Sequence, residues 1–335
     1  MSLTAVGGAL LFLSIGFAGT WLARRYALAR RLLDEPGERR SHNVATPRGG
    51  GIAIVVAVLV AVAIGWSALG GGLALAAFAT GFALVAAIGW VDDHRPLSPA
   101  LRLLVHVLAS ALFAAAVHAG SGAPATVAIA FLAPLVLTNV WNFMDGIDGL
   151  AASQALIVGG LLALGLGGPW PLVALALAAA CAGFLPFNLP TARIFMGDVG
   201  SGAIGYAIGA LCAIATGQGG TAAAWLLLPL APFLVDAGLT LARRVLRRER
   251  WWTAHTQHAY QACARRHGHR AVTLGYALAT LAGAAVALIM KEHVTTFIAS
   301  SLFTWYMSAA ILWGWLQYSR GAGTDAAAPS WKENE

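Results

Sequence analysis

Charge is what this chain has least of. Only 10% of its 335 residues are Asp, Glu, Lys or Arg, against 59% hydrophobic, and the mean hydropathy is +0.74. A soluble domain carries about a quarter charged residues, so most of this surface cannot face water. Cysteine is equally sparse. Cys181, Cys212 and Cys263 show no metal-ligand spacing; two lie in apolar runs, so neither a disulfide framework nor a zinc site is expected. The N-terminus has no basic stretch ahead of its first apolar run, which ends at Arg24-Arg25, so that run reads as a retained span rather than a cleaved leader. Long soluble joints are also missing, which excludes a separate water-soluble domain.

What is present is a succession of apolar runs, at 3–23, 50–69, 71–91, 101–119, 125–141, 153–168, 170–186, 200–216, 222–242, 271–290 and 296–318. Each approaches the length of about 20 residues that crosses a bilayer. The expectation is an all-α polytopic integral membrane protein of 10–11 transmembrane helices, with residues 1–318 as one domain and 319–335 as a disordered polar tail. Gly70-Gly71-Gly72, Gly167-Gly168-Pro169 and Gly217-Gln218-Gly219-Gly220 mark tight turns between runs.

The net charge of +7 is unevenly placed. Arg24, Arg25, Arg30, Arg31, Arg39, Arg40 and Arg48 share one joint, and the run from Arg243 to Arg270 fills another, while joints on the opposite side carry little besides Lys291. This is the positive-inside asymmetry rather than a nucleic-acid surface. It predicts an external N-terminus and inner loops at 24–49, 92–100, 142–152, 187–199 and 243–270.

Asp92, Asp93, Asp145, Asp148 and Asp198 all fall in or beside those inner loops. Acids next to apolar spans are costly and mark function by default, although each alone also reads as a water-exposed helix end. Carboxylates gathered on one face, with no Cys/His spacing, suit a hard divalent cation such as magnesium.

In the run from Asn139 to Leu150, Asn139, Asn142, Asp145 and Asp148 recur every third residue, with Gly146 and Gly149 free to leave the helix. Before the next span, Phe195-Met196-Gly197-Asp198-Val199-Gly200-Ser201 admits two readings. Asp198 holds a cation beside anion-binding amides, or Asp198 or Ser201 simply caps a helix. Phe195 reads either as packing or as a stacking platform for a base. Asp92 and Asp93, about 100° apart on a helix, should differ in role. Thr46 to Gly51 offers close approach to a phosphate or close helix packing. His255 and His258, among arginines, read as contacts to an anion or as plain loop residues. Asp236, inside a span, reads as a structural ion-pair partner.

Together Asp34-Glu35-Pro36, Arg40-Ser41-His42, Pro47-Arg48-Gly49-Gly50, Asp92-Asp93 with Leu97-Ser98-Pro99, Asn139 to Leu150 and Asn188 to Ser201 resemble the polyprenyl-phosphate N-acetylhexosamine-1-phosphate transferase family. The resemblance implies a cytoplasmic active site at the inner membrane of a bacterium. It also implies magnesium (with manganese able to substitute), undecaprenyl phosphate and a UDP-activated N-acetylated sugar as partners alongside membrane lipid, and a homodimer as the candidate assembly. By the same resemblance Asp198 is the metal ligand and Asp92 positions or deprotonates the lipid phosphate. Asp93, Asn142 and Asp145 line the catalytic site. Gly146, Asp148, Asn188, Phe195, His255 and His258 lie with the nucleotide sugar. Where relatives have runs of histidines, this chain has His255-Thr256-Gln257-His258-Ala259-Tyr260-Gln261. That difference implies the branch that initiates O-antigen with modified sugars rather than the peptidoglycan enzyme. An ion-coupled transporter, the competing class, would keep its acids near the bilayer midplane, where here only Asp236 lies.

Overall fold

The computed structural model describes residues 3–35, 44–121, 123–189, 191–250, 252–253, 255–290 and 295–324. Pro36, Arg39, Arg40, Ser41, His42 and Lys291 named above lie outside them, as do residues 325–335.

Eleven α-helices form the chain among the described residues: α1 Leu3–Arg30, α2 Ile52–Leu69, α3 Leu73–His94, α4 Pro99–Ser121, α5 Pro124–Met144, α6 Leu150–Gly165, α7 Trp170–Asn188, α8 Asp198–Gly219, α9 Leu227–Leu246, α10 Ala259–Met290 and α11 Thr295–Thr324. A 3₁₀ turn, Gly220–Leu226, leads into α9. Each expected apolar run therefore becomes a helix, and ten of the helices are long and apolar enough to cross a membrane. The protein is an all-α, multi-pass membrane protein.

The exception to spanning length is α6, with 16 residues. It rises about 24 Å, short of the hydrocarbon core. Packing against α7 and α10 relieves it of matching the lipid along most of its length. The other departure from pure helix is a two-residue antiparallel ladder between α1 and α2, β1 Leu33–Asp34 with β2 Thr46–Pro47.

At the centre stands α8, whose side chains are buried along most of its length. Its small residues explain that position. Gly205 lies against the Leu137 and Thr138 backbone of α5, and Gly209 against Ala133 and Pro134, so close that a Cβ on either would overlap main-chain atoms. In lipid, helices associate through such backbone contact because apolar side chains gain nothing by leaving the hydrocarbon. Around α8 pack α3 and α5; α7 holds α1, α2 and α6, while α9 pairs with α10 and α11.

The joint between α9 and α10 is shorter than the expected 243–270. Helix α9 continues to Leu246, with Arg243 and Arg244 in a final turn that favours cations, and α10 already begins at Ala259. A break at Gly268, φ 78°, divides α10 into an initial segment and the longer apolar part. Similarly α11 runs to Thr324, into the stretch whose composition suggests a tail.

Candidate functional site

The C-terminal turn of α3 faces two helices at once, because adjacent side chains diverge by about 100°. Asp93 points to α8, where its two oxygens each accept a backbone N–H, from Asp198 and Val199, both at 3.1 Å. Gly197, φ 75°, turns the chain so tightly that a Cβ there would meet the Asp93 carboxylate. Asp93 is thus a cap supplied to α8 from a residue 105 positions away, which leaves the Asp198 side chain free for other work.

Asp92 points to α4. One oxygen accepts the Leu97 N–H at 2.6 Å and closes the turn after α3. The other accepts Arg102 Nη1 at 2.9 Å, and that same nitrogen donates to Asp198 Oδ2 at 2.5 Å. Arg48 Nη2 donates to the Asp93 backbone carbonyl, while its Nη1 stands 4.0 Å from Asp34. The ends of α3, α4 and α8 and the first inner loop therefore meet at one point.

From α5, Asn142 reaches the same place, its Nδ2 3.5 Å from Ser201 Oγ in the first turn of α8. Asp145 follows, just beyond the end of α5. Burial, then the charges of Asp198 and Asp93, push its carboxyl up to about 8. The folded state consequently retains a proton that the unfolded chain releases between about pH 4 and pH 8, so stability falls as pH rises through that window. In chelator, wild-type melting temperature should decline across this range more steeply than that of Asp145→Asn, whose amide does not ionise. Parallel curves in a thermal-shift series would show that Asp145 carries no such penalty.

The donor set bears on magnesium. Asp92 and Asp198 direct oxygens at a single cationic nitrogen, and a pair of carboxylates with retained waters is a usual magnesium environment. Among the described residues no group of three or more His, Cys, Asp or Glu side chains surrounds one point. These two carboxylates, hard oxygen donors that already converge on one positive group, would suit a divalent cation.

The other expected site residues serve to join segments. Asn188, buried at the end of α7, accepts the Gly149 N–H at 2.8 Å and donates to the Ile194 carbonyl at 3.0 Å. Asp148 accepts the Ala192 N–H at 3.0 Å and lies 3.2 Å from His269 Nδ1. Gly146 lets the Tyr260 hydroxyl approach where a Cβ would overlap it. The Phe195 backbone continues the first loop, its N–H bonding to the Pro47 carbonyl at 2.7 Å and its carbonyl accepting from Gly50 at 2.9 Å. Gly50 and Gly51 pack on Phe184, Ile194, Met196 and Gly200, so close packing is the reading that applies to this glycine run.

His255 and His258 stack with ring centroids 4.9 Å apart. Burial, then His258 and Arg244, hold His255 down at about 4, so it is neutral at pH 7. Its Nδ1 accepts the Gln257 N–H at 3.3 Å. His258 is buried, with Nδ1 3.7 Å from Asp236 and its ring facing Phe143 at 6.2 Å. Asp236 turns toward α10, and Arg243, seven residues on, reaches Gln317.

Sequence reasoning missed Arg102, His269 and the role of Tyr260. For Arg102 a signal existed: an arginine inside the first turn of an apolar span is expensive unless it meets acids. For His269 and Tyr260 nothing local distinguishes them from their neighbours.

Residues 75–216, which hold most of α3 to α8 together with Asp92, Asp93, Arg102, Asn142, Asp145 and Asp198, match the family model described as glycosyl transferase family 4. The chain is 32% identical over 260 residues to decaprenyl-phosphate N-acetylglucosaminephosphotransferase of Mycolicibacterium smegmatis, covering 67% of this chain and 64% of that protein. It is 33% identical over 221 residues to phospho-N-acetylmuramoyl-pentapeptide-transferase of Thermosynechococcus vestitus, covering 57% of this chain and 58% of that one. A probable undecaprenyl-phosphate N-acetylglucosaminyl 1-phosphate transferase of Bacillus subtilis is 30% identical over 217 residues, covering 57% and 58%. The matched stretch thus spans under two thirds of each relative's length. The carboxylate pair, its arginine and the start of α8 lie inside the matched region, so this site is part of what the chain shares with glycosyl transferase family 4.

Proposed function

We propose that this protein transfers an N-acetylated sugar 1-phosphate from a UDP-sugar to undecaprenyl phosphate, releasing UMP, at the cytoplasmic face of a bacterial inner membrane. The observation that carries the reading is the convergence of Asp92 and Asp198 on one cationic position, beside the ends of apolar helices long enough to cross a membrane. The names of the relatives support it.

In the reaction an oxygen of the lipid phosphate bonds to the phosphorus carried by the sugar, and the bond from that phosphorus to the bridging oxygen breaks. UMP leaves with the bridging oxygen and the electron pair. Attacking and departing groups are all anionic, so the chain's task is to position them and cancel repulsion. Magnesium, when bound, would supply charge neutralisation to the pyrophosphate. Asp198 and Asp92 would hold it, with manganese able to take the same oxygens. Arg102 and Arg48 present cationic groups to the phosphates, and Asn142 orients polar atoms from α5. Asp92 would also position the lipid phosphate or accept a proton from it.

For the sugar, the loop from His255 to Gln261 supports a modified UDP-N-acetylhexosamine of the 6-deoxy type, and with it a role in starting O-antigen or a related surface glycan. A pocket built around such a sugar gains little from the missing hydroxyl. A second reading, UDP-GlcNAc, is favoured by the names of the Mycolicibacterium and Bacillus relatives. Purified protein, undecaprenyl phosphate and a panel of UDP-sugars separate them by kcat/KM, with the 6-deoxy sugar expected to rank first. A clear preference for UDP-GlcNAc leaves the reaction class standing and moves the assignment to the second reading. Activity confined to UDP-MurNAc-pentapeptide overturns the branch.

A further inference from the structure

Asp236 is a carboxylate within a membrane-spanning helix, and among the described residues its hydrogen-bond and ion-pair partners belong to its own helix, to α10 and to His258 just before it. One oxygen accepts the Ala259 N–H at 2.8 Å and the Thr240 hydroxyl at 3.3 Å. The other accepts the Tyr260 N–H at 3.0 Å and the Tyr276 hydroxyl at 2.7 Å. The group is 2% exposed. A buried charge of this kind is tolerated where a helix N-terminus and several donors compensate it. Here the helix so held is the initial segment of α10, which the Gly268 break separates from the remainder.

That segment reaches the site through Tyr260. The Tyr260 hydroxyl donates to the Phe143 carbonyl at 3.0 Å and lies against Gly146. Phe143 sits between Asn142 and Asp145. Beyond the break α10 grips the following stretch separately, through Thr273 to the Asp148 carbonyl at 2.7 Å and His269 to the Asp148 carboxylate.

We propose that Asp236 is a positioning residue: by anchoring the first turn of α10 it fixes Tyr260 on the Phe143 carbonyl, and through it the placement of Asn142 and Asp145. The kinetic consequence rests on the transferase reading; the structural one does not. An Asn at 236 keeps the size but offers a single acceptor oxygen and turns an N–H₂ toward donors.

The test uses the full chain in nanodiscs, with Asp236→Asn, Tyr260→Phe and, as a milder variant if the first does not fold, Tyr276→Phe. Hydrogen–deuterium exchange of peptides covering 142–149 and 259–262 should quicken about tenfold or more in Asp236→Asn, the scale of losing a hydrogen bond to a charged acceptor, with α1 and α7 unchanged. Tyr260→Phe should quicken 142–149 alone. In kcat, Asp236→Asn and Tyr260→Phe should combine non-additively, while Asp236→Asn and Thr280→Ala, whose hydroxyl bonds Gln154, should combine additively. Faster exchange at 259–262 with 142–149 unmoved overturns the proposal, because Tyr260 then transmits nothing. Faster exchange throughout the bundle overturns it too, since Asp236 is then a general stabiliser. A wild-type protein that transfers no sugar phosphate refutes the function proposed above and leaves the exchange arm to judge the anchor.

Discussion

Asp198→Asn is expected to leave a folded, monodisperse protein that has lost about 10²-fold or more of its transfer rate at ordinary magnesium levels, the scale of removing one preorganised charge-stabilising group. Two features of the structure separate folding from activity here. The amides that open α8 are satisfied by Asp93, so the Asp198 side chain is not needed as the helix cap. Its Oδ2 instead shares Arg102 with Asp92, at the position where a cation would be held. An amide oxygen is a weaker ligand for a hard cation, and the neutral side chain no longer opposes Asp92 across the site. Melting temperature in chelator should therefore hold or rise while rate collapses. Near-normal turnover of purified Asp198→Asn would refute the metal-holding role, and a fall in melting temperature matching that of a cap deletion would reassign Asp198 to structure.

The neighbouring acids should behave in opposite ways. Asp93→Ala removes the acceptor for two buried N–H groups at the start of the most buried helix of the bundle. Loss of a cap costs about 0.5–2 kcal/mol, and leaving buried donors unpaired puts this case toward the upper end. Gly197 relies on the same carboxylate to set the turn that aims Asp198, so rate and melting temperature should fall together. Asp93→Asn, which keeps one acceptor oxygen, should be intermediate in both. Asp92→Asn keeps an acceptor for the Leu97 N–H and loses mainly the ion pair with Arg102, which is partly exposed and worth about 1 kcal/mol or less. It should melt near wild type yet turn over far more slowly, with UDP-sugar KM changing less than kcat. Thermal unfolding and initial rates on the three variants decide this. Equal destabilisation by Asp92→Asn and Asp93→Ala would show that the two residues share one structural duty.

Sequence by itself determined the apolar helices, their order and the acids at their ends. Those follow from local properties: a run of apolar residues long enough to cross hydrocarbon, and carboxylates confined to its borders, are visible without knowing any neighbour in space. The motif from Asn139 to Leu150 was likewise legible, because its spacing lies within a few helical turns. Only the tertiary structure decided which acid does what. Asp92 and Asp93 are adjacent, yet one faces α4 and the other caps a helix 105 residues on. Asn188 and Asp148 carry polar side chains that suit a ligand equally well until their partners, Gly149, Ile194, Ala192 and His269, are known. The start of α10 at Ala259 was hidden within an arginine-rich loop because the acceptor that caps it, Asp236, sits on another helix 23 residues earlier. Hydropathy reports the solvent that each segment needs. Hydrogen bonds between segments depend on how the helices pack, and in this bundle glycine-to-backbone contacts around α8 set that packing.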